Sequence, residues 1–260
     1  MNTNRINRLF AAQPHNLLSI YFCAGCPTLE GTAEVIRTLE REGVNMIEIG
    51  IPFSDPMADG VVIQNAATQA LRNGMTLKKL FEQLSDIRQD VRIPLILMGY
   101  LNPIYRFGFE KFCQECERCG IDGVIIPDLP FRDYEAGYKE IAERYNVRII
   151  MLITPETSEV RIREIDAHTD GFIYMVSSAA TTGAQKDFDA RKQAYFEKVE
   201  GMNLRNPRMV GFGISNKQTF EAACAHSSGA IIGSKFVNLL SEEKGDAERA
   251  ILRLKEALKA

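Results

Sequence analysis

A single (β/α)8 TIM barrel with an extra N-terminal helix, filling residues 1–260, is the fold this sequence predicts. Three observations carry that expectation: short apolar runs alternate with helical patterns, the runs number eight, and eight such units suit a chain of this length. A doubly wound open sheet shows the same alternation, so the pattern alone leaves that architecture open.

In chain order, the amphipathic segment 3–10 precedes the first unit and is expected as a helix covering the bottom of the barrel. Strands are expected over 18–23, 46–51, 95–98, 123–126, 148–153, 171–176, 208–211 and 229–232, most of them bounded by Gly, Pro or Asp. Most are near-continuously apolar, as befits parallel strands buried on both faces. The intervening helical patterns cover 32–42, then 66–72 with 77–88, 109–119, 133–145, 160–168, 187–199, 217–225 and 246–258.

Composition sets limits on partners. With 45% hydrophobic and 25% charged residues, 19 Gly and 10 Pro, the chain has globular proportions and no low-complexity region. A net charge of −3 offers no footprint for nucleic acid or anionic lipid. The longest apolar runs, 94–98 and 123–127, fall far short of the ~20 residues that cross a membrane, and the polar N-terminus lacks a secretory apolar stretch. A cytoplasmic protein is expected.

Cys23-x-x-Cys26 and Cys113-x-x-Cys116-x-x-Cys119 use metal-ligand spacing, but the three His residues are isolated. In 107–120 the cysteines fall three apart on one helical face, with Gly120 just past the helix end, so half-buried thiols in a reduced compartment are expected and no metal site.

In a barrel, chemistry belongs at the carboxyl ends of the strands. Along 46–51, Ile47, Ile49 and Ile51 suit the layer facing helices, which sends Glu48 inward. A carboxylate there is costly to bury without a task or a cationic partner. The loop beyond carries Asp55 and Asp59, either turn formers or the second member of an acid/base pair. Tyr174 shares parity with Phe172, which makes both either pocket wall or core filling. The small, polar stretch from Ser177 to Gln185 has the composition of a substrate-covering loop.

Two strand–helix turns carry an anion signal. Gly211-Phe212-Gly213-Ile214-Ser215 leads into a helix whose start reads as a Ser215/Gln218 capping box, and Ile232-Gly233-Ser234-Lys235 runs from strand directly into helix. Glycines there let backbone N–H groups approach a ligand, and barrels often bind phosphate after strands 7 and 8.

The segment Ile47-Glu48-Ile49-Gly50-Ile51-Pro52-Phe53-Ser54-Asp55-Pro56-Met57-Ala58-Asp59-Gly60 resembles the signature of the tryptophan synthase alpha chain family, and the likeness runs essentially end to end. Supporting segments are 98–104, 122–130, 211–215 and Gly233-Ser234. The resemblance implies a lyase of tryptophan biosynthesis that cleaves indole-3-glycerol phosphate to indole and glyceraldehyde 3-phosphate with no cofactor or metal. By position, Glu48 would be the proton-transferring carboxylate and Asp59 would hold the indole N–H. Tyr174, Phe22, Tyr100, Thr182 and Phe212 would contact substrate, and the phosphate would sit around Gly183, Gly213, Gly233 and Ser234.

The resemblance also implies a beta subunit, which carries pyridoxal phosphate and receives indole within an αββα heterotetramer. Asp55, Pro56 and the Asn102-Pro103 segment would then lie near the partner. One departure stands out: many relatives read Ser-Arg-x-Gly-Val-Thr-Gly where this chain has Ser177-Ser178-Ala179-Ala180-Thr181-Thr182-Gly183, without the arginine or inner glycine. A stand-alone lyase releasing free indole, or a non-catalytic activator of a partner, are the alternative functions.

Overall fold

The computed structural model describes residues 4–177 and 190–259. Eight parallel strands pair in sequence order and the eighth returns to the first, closing the barrel and removing the open-sheet alternative. They are β1 (Leu17–Cys23), β2 (Met46–Gly50), β3 (Leu95–Met98), β4 (Gly123–Ile125), β5 (Arg148–Ile153), β6 (Ile173–Val176), β7 (Arg208–Gly211) and β8 (Gly229–Ile232). Each coincides closely with the apolar run that predicted it.

The helices are α1 (Arg5–Ala12), α2 (Thr32–Arg41), α3 (Val61–Arg72), α4 (Leu77–Gln83), α5 (Leu101–Phe107), α6 (Phe109–Cys119), α7 (Phe131–Asp133), α8 (Lys139–Arg144), α9 (Glu159–His168), α10 (Ala190–Gly201), α11 (Lys217–Ala225), α12 (Ser234–Glu242) and α13 (Ala247–Lys259). A π turn over Tyr134–Tyr138 joins α7 to α8, so the continuous helix expected over 133–145 is interrupted. On α6, Phe109, Phe112, Cys113, Cys116 and Cys119 share the buried stripe, and Gly120 ends the helix in the left-handed region at φ 70°. The three thiols are fully buried rather than half-buried, and burial pushes each of them up from its ordinary pKa.

Two local expectations are corrected. The helix after β7 is capped one residue later than expected: Asn216 Oδ1 accepts from the Thr219 N–H at 2.9 Å, while Thr219 Oγ1 accepts from the Asn216 N–H at 3.2 Å. The reciprocal pair is therefore Asn216 and Thr219, not Ser215 and Gln218. Helix α5 has no counterpart in the sequence reading. Its Pro103 resembles a breaker but sits in the first turn, where the missing N–H leaves no bond unmade.

Helix α1 closes the bottom of the barrel, as its amphipathic pattern implies. Ile6 and Phe10 are buried, and the Phe10 ring lies 5.8 Å from Phe172, the lower member of the pair that includes Tyr174. The Asn4 amide caps α1 and also donates to the carbonyls of Asp122 and Asn146 at 2.8 and 2.9 Å. Asp122, itself buried, accepts from Arg5 at 3.0 Å, Arg88 at 2.7 Å and the Leu95 N–H at 3.0 Å. With α1 packed across its underside, the barrel presents the carboxyl ends of its strands at the other end. No described helix is long and apolar enough to cross a membrane.

Candidate active site

Strands β1 and β2 set the floor of the open end. Their register pairs Ser19 with Met46, Tyr21 with Glu48 and Cys23 with Gly50, so Ser19, Tyr21 and Glu48 share the interior face. Glu48 is fully buried. Its Oε1 accepts from Ser19 Oγ at 3.5 Å, its Oε2 has no partner, and no Lys or Arg among the described residues pairs with it. Burial pushes the carboxyl up to about 8, with the Ser19 hydrogen bond pulling the other way. Near neutral pH Glu48 therefore carries a proton it is able to donate.

Asp59 reaches the same space from the loop after β2. Tyr100, just beyond β3, donates its hydroxyl to Asp59 Oδ2 at 3.0 Å and accepts the Ala58 N–H at 2.9 Å. Burial raises the Asp59 carboxyl to about 6, with the Tyr100 hydrogen bond pulling the other way. The two carboxyls thus differ in protonation near neutrality: Asp59 is ionised and Glu48 is neutral. That separation is what an acid and a charge-stabilising partner require.

Both carboxyls line one concave site at the open end of the barrel. Tyr174, Met98 and Phe212 supply aromatic and apolar wall, and Ile63 and Ile214 add to it. Two glycines make this wall possible by what they lack. A Cβ at Gly50 would overlap the Tyr21 hydroxyl, and one at Gly211 would overlap that of Tyr174. Gly211 therefore serves the tyrosine rather than the ligand. Phe212 holds a left-handed backbone at φ 69°, unusual for an aromatic residue. Its carbonyl accepts from Ser177 Oγ at 2.6 Å, and its ring packs edge-on to Tyr174 at 6.1 Å.

Gly213, Gly233 and Ser234 line the same cavity. Helix α12 begins at Ser234 with Gly233 as its cap and no side chain satisfying its first N–H groups. Free N–H groups at a helix N-terminus favour an anion. Among the described residues no cluster of metal-binding side chains occurs.

A match to the family model described as tryptophan synthase alpha chain extends over residues 9–260. The chain belongs to the tryptophan synthase alpha chain family. It is 76% identical over 255 residues to the tryptophan synthase alpha chain of Bacteroides fragilis, with 98% of this chain and 97% of that one covered. The alpha chain of Bacteroides thetaiotaomicron is 75% identical over 256 residues, covering 98% and 100%. Among solved structures, the alpha subunit of Legionella pneumophila superposes with a TM-score of 0.87 at 31% identity, covering 99% of each chain. A chain of the Pyrococcus furiosus tryptophan synthase complex gives 0.85 at 31% identity, covering 94% and 98%.

Against the expectations for an alpha chain, Glu48, Asp59, Tyr174, Phe212, Gly213, Gly233 and Ser234 converge on the one cavity. Tyr100 joins them through Asp59. Phe22 does not: it has the opposite parity on β1 and is buried in the core, and Tyr21 forms the wall in its place. Thr182, Gly183 and most of the 177–185 loop lie outside the described residues. Sequence reasoning missed Ser19, Tyr21, Met98 and Lys235. Parity with Glu48 across the β1–β2 pair identifies the first two, but only once the register is known.

Proposed function

We propose that this lyase-family subunit cleaves indole-3-glycerol phosphate to indole and glyceraldehyde 3-phosphate in this cavity. The observation that carries the reading is one cavity lined by two buried carboxyls, Glu48 and Asp59, together with an unsatisfied helix N-terminus. Carbon–carbon cleavage needs an electron sink, and protonation of indole C3 creates one. Glu48 supplies that proton. Asp59 accepts the indole N–H, stabilising the positive charge that develops on the ring nitrogen. The glycerol hydroxyl then gives its proton to the Glu48 carboxylate, the carbon–carbon bond breaks, and its electrons restore the aromatic ring as the aldehyde forms. One carboxyl thus closes the proton balance, with no redox step.

The test is indole release from indole-3-glycerol phosphate by wild type and Glu48→Gln. The variant is expected to fold normally and lose cleavage by about 10²–10⁴-fold. Near-wild-type turnover in the variant overturns the reading.

For a partner we propose a tryptophan synthase beta subunit in an αββα assembly, supported by the likeness to a chain of the Pyrococcus furiosus complex. Met57, Val61 and Tyr105 are exposed on the segments that follow β2 and β3, the same segments that carry Asp55, Pro56 and Asn102-Pro103, and an apolar partner surface suits them. Steady-state cleavage with and without beta subunit tests this, an unchanged rate and no complex by sedimentation counting against it.

A further inference from the structure

We propose that Lys235 is the cation that recognises the phosphate group and sets the preference of this cavity for phosphorylated over unphosphorylated ligands; the inference rests on the reading above. Lys235 is the second residue of α12, directly after Ser234, and lines the cavity that holds Glu48 and Asp59. Among the described lining residues it is the only lysine or arginine, and none of the described carboxylates forms an ion pair with it.

Geometry aims this charge at the anion subsite. Lys235 lines the cavity together with Gly233 and Ser234, and side chains on a helix tilt toward its N-terminus, which directs a first-turn side chain of α12 toward the free N–H groups there. The electrostatic need is specific to this cavity. Asp59 lines the same cavity and is ionised near neutral pH, so a phosphate dianion entering the cavity meets repulsion that backbone dipoles alone offset weakly. A mobile ammonium within the same low-dielectric cleft supplies the missing countercharge, and with it a reason to reject ligands that lack the phosphate.

The test compares Lys235→Met, which keeps the apolar stem, with Lys235→Arg, which keeps the charge. For Lys235→Met, KM for indole-3-glycerol phosphate and the dissociation constant of inorganic phosphate are expected to rise about tenfold together. Its kcat stays within about twofold and indole affinity is unchanged, because uniform binding is lost and not transition-state stabilisation. Lys235→Arg should recover most of the phosphate affinity. Unchanged KM and phosphate affinity in Lys235→Met, or equal losses for phosphate and indole, overturn the proposal. Failure of the wild type to cleave the substrate would instead overturn the reaction assignment, and the phosphate titration would still report on Lys235.

Discussion

The Tyr100 hydroxyl lies 3.0 Å from an Asp59 carboxylate oxygen and receives the Ala58 N–H at 2.9 Å, tying the β2–α3 loop to the end of β3. It is the polar contact that favours the charged form of a carboxyl otherwise pushed toward neutrality by burial. Tyr100→Phe is therefore expected to raise the Asp59 pKa further, because a donor to the carboxylate is lost. Cleavage should fall by about tenfold. A pH–rate profile checks it: the acidic limb of kcat/KM moves to higher pH, and an unmoved limb refutes the coupling.

In the wild type, cleavage needs Asp59 ionised and Glu48 protonated. With those groups at about 6 and about 8, kcat/KM is expected to be bell-shaped with its plateau between the two values. Ser19→Ala removes the only donor to Glu48 among the described residues and should move the alkaline limb upward, leaving the acidic limb in place. Profiles of the two enzymes over the full range decide this.

The same burial makes stability pH-dependent. Both carboxyls bind protons more tightly folded than unfolded, so their contribution is greatest below the unfolded values near 4 and is lost as pH rises through about 6 and then about 8. Glu48→Gln removes the larger part of that loss. At a pH of about 9 the variant should exceed wild type by ~2–4 kcal/mol in denaturant unfolding, with little difference at a pH of about 4. A constant offset across pH contradicts the desolvation argument.

Gly211→Ala places a methyl group against the Tyr174 hydroxyl inside a packed wall. Overpacking of this kind costs about 1–3 kcal/mol, and relief requires Tyr174 to turn into the space intended for substrate. The expected result is a lower melting temperature together with at least a tenfold rise in KM. A stable variant with wild-type KM means the wall is softer than the close approach implies.

At the other end of the barrel, Asp122→Asn leaves the guanidinium of Arg88 facing a neutral amide in a largely buried setting. A loss of ~2–4 kcal/mol is expected, with amide exchange accelerating most in α1, which Asp122 helps to anchor. Unaltered protection in α1 would show that Asn4 alone suffices.

Much of this architecture was readable from residue order. Parallel strands covered on both faces announce themselves as apolar runs, and the inward turn of Glu48 followed from the isoleucines on either side of it. What escaped depended on pairing across strands or on position within a turn. Tyr21 and Phe22 are equally plausible wall residues until the register sets Tyr21 opposite Glu48. Pro103 reads as a helix breaker unless its place in the first turn of α5 is known. Ser215 and Asn216 are both good caps, and the choice falls to the residue whose side chain meets the Thr219 N–H. Lys235 looks like an ordinary surface lysine because neither strand nor helix periodicity marks a group that lines a cavity from a first turn.

The latch beneath the barrel also orders events during synthesis. Asn4 leaves the ribosome well before its seat: the carbonyls of Asp122 and Asn146 follow 118 and 142 residues later. Until then the apolar face of Ile6 and Phe10 has no barrel to close. The nascent chain must therefore carry α1 undocked until Asn146 has been made, and that helix becomes a stabilising part only when its seat arrives to receive it.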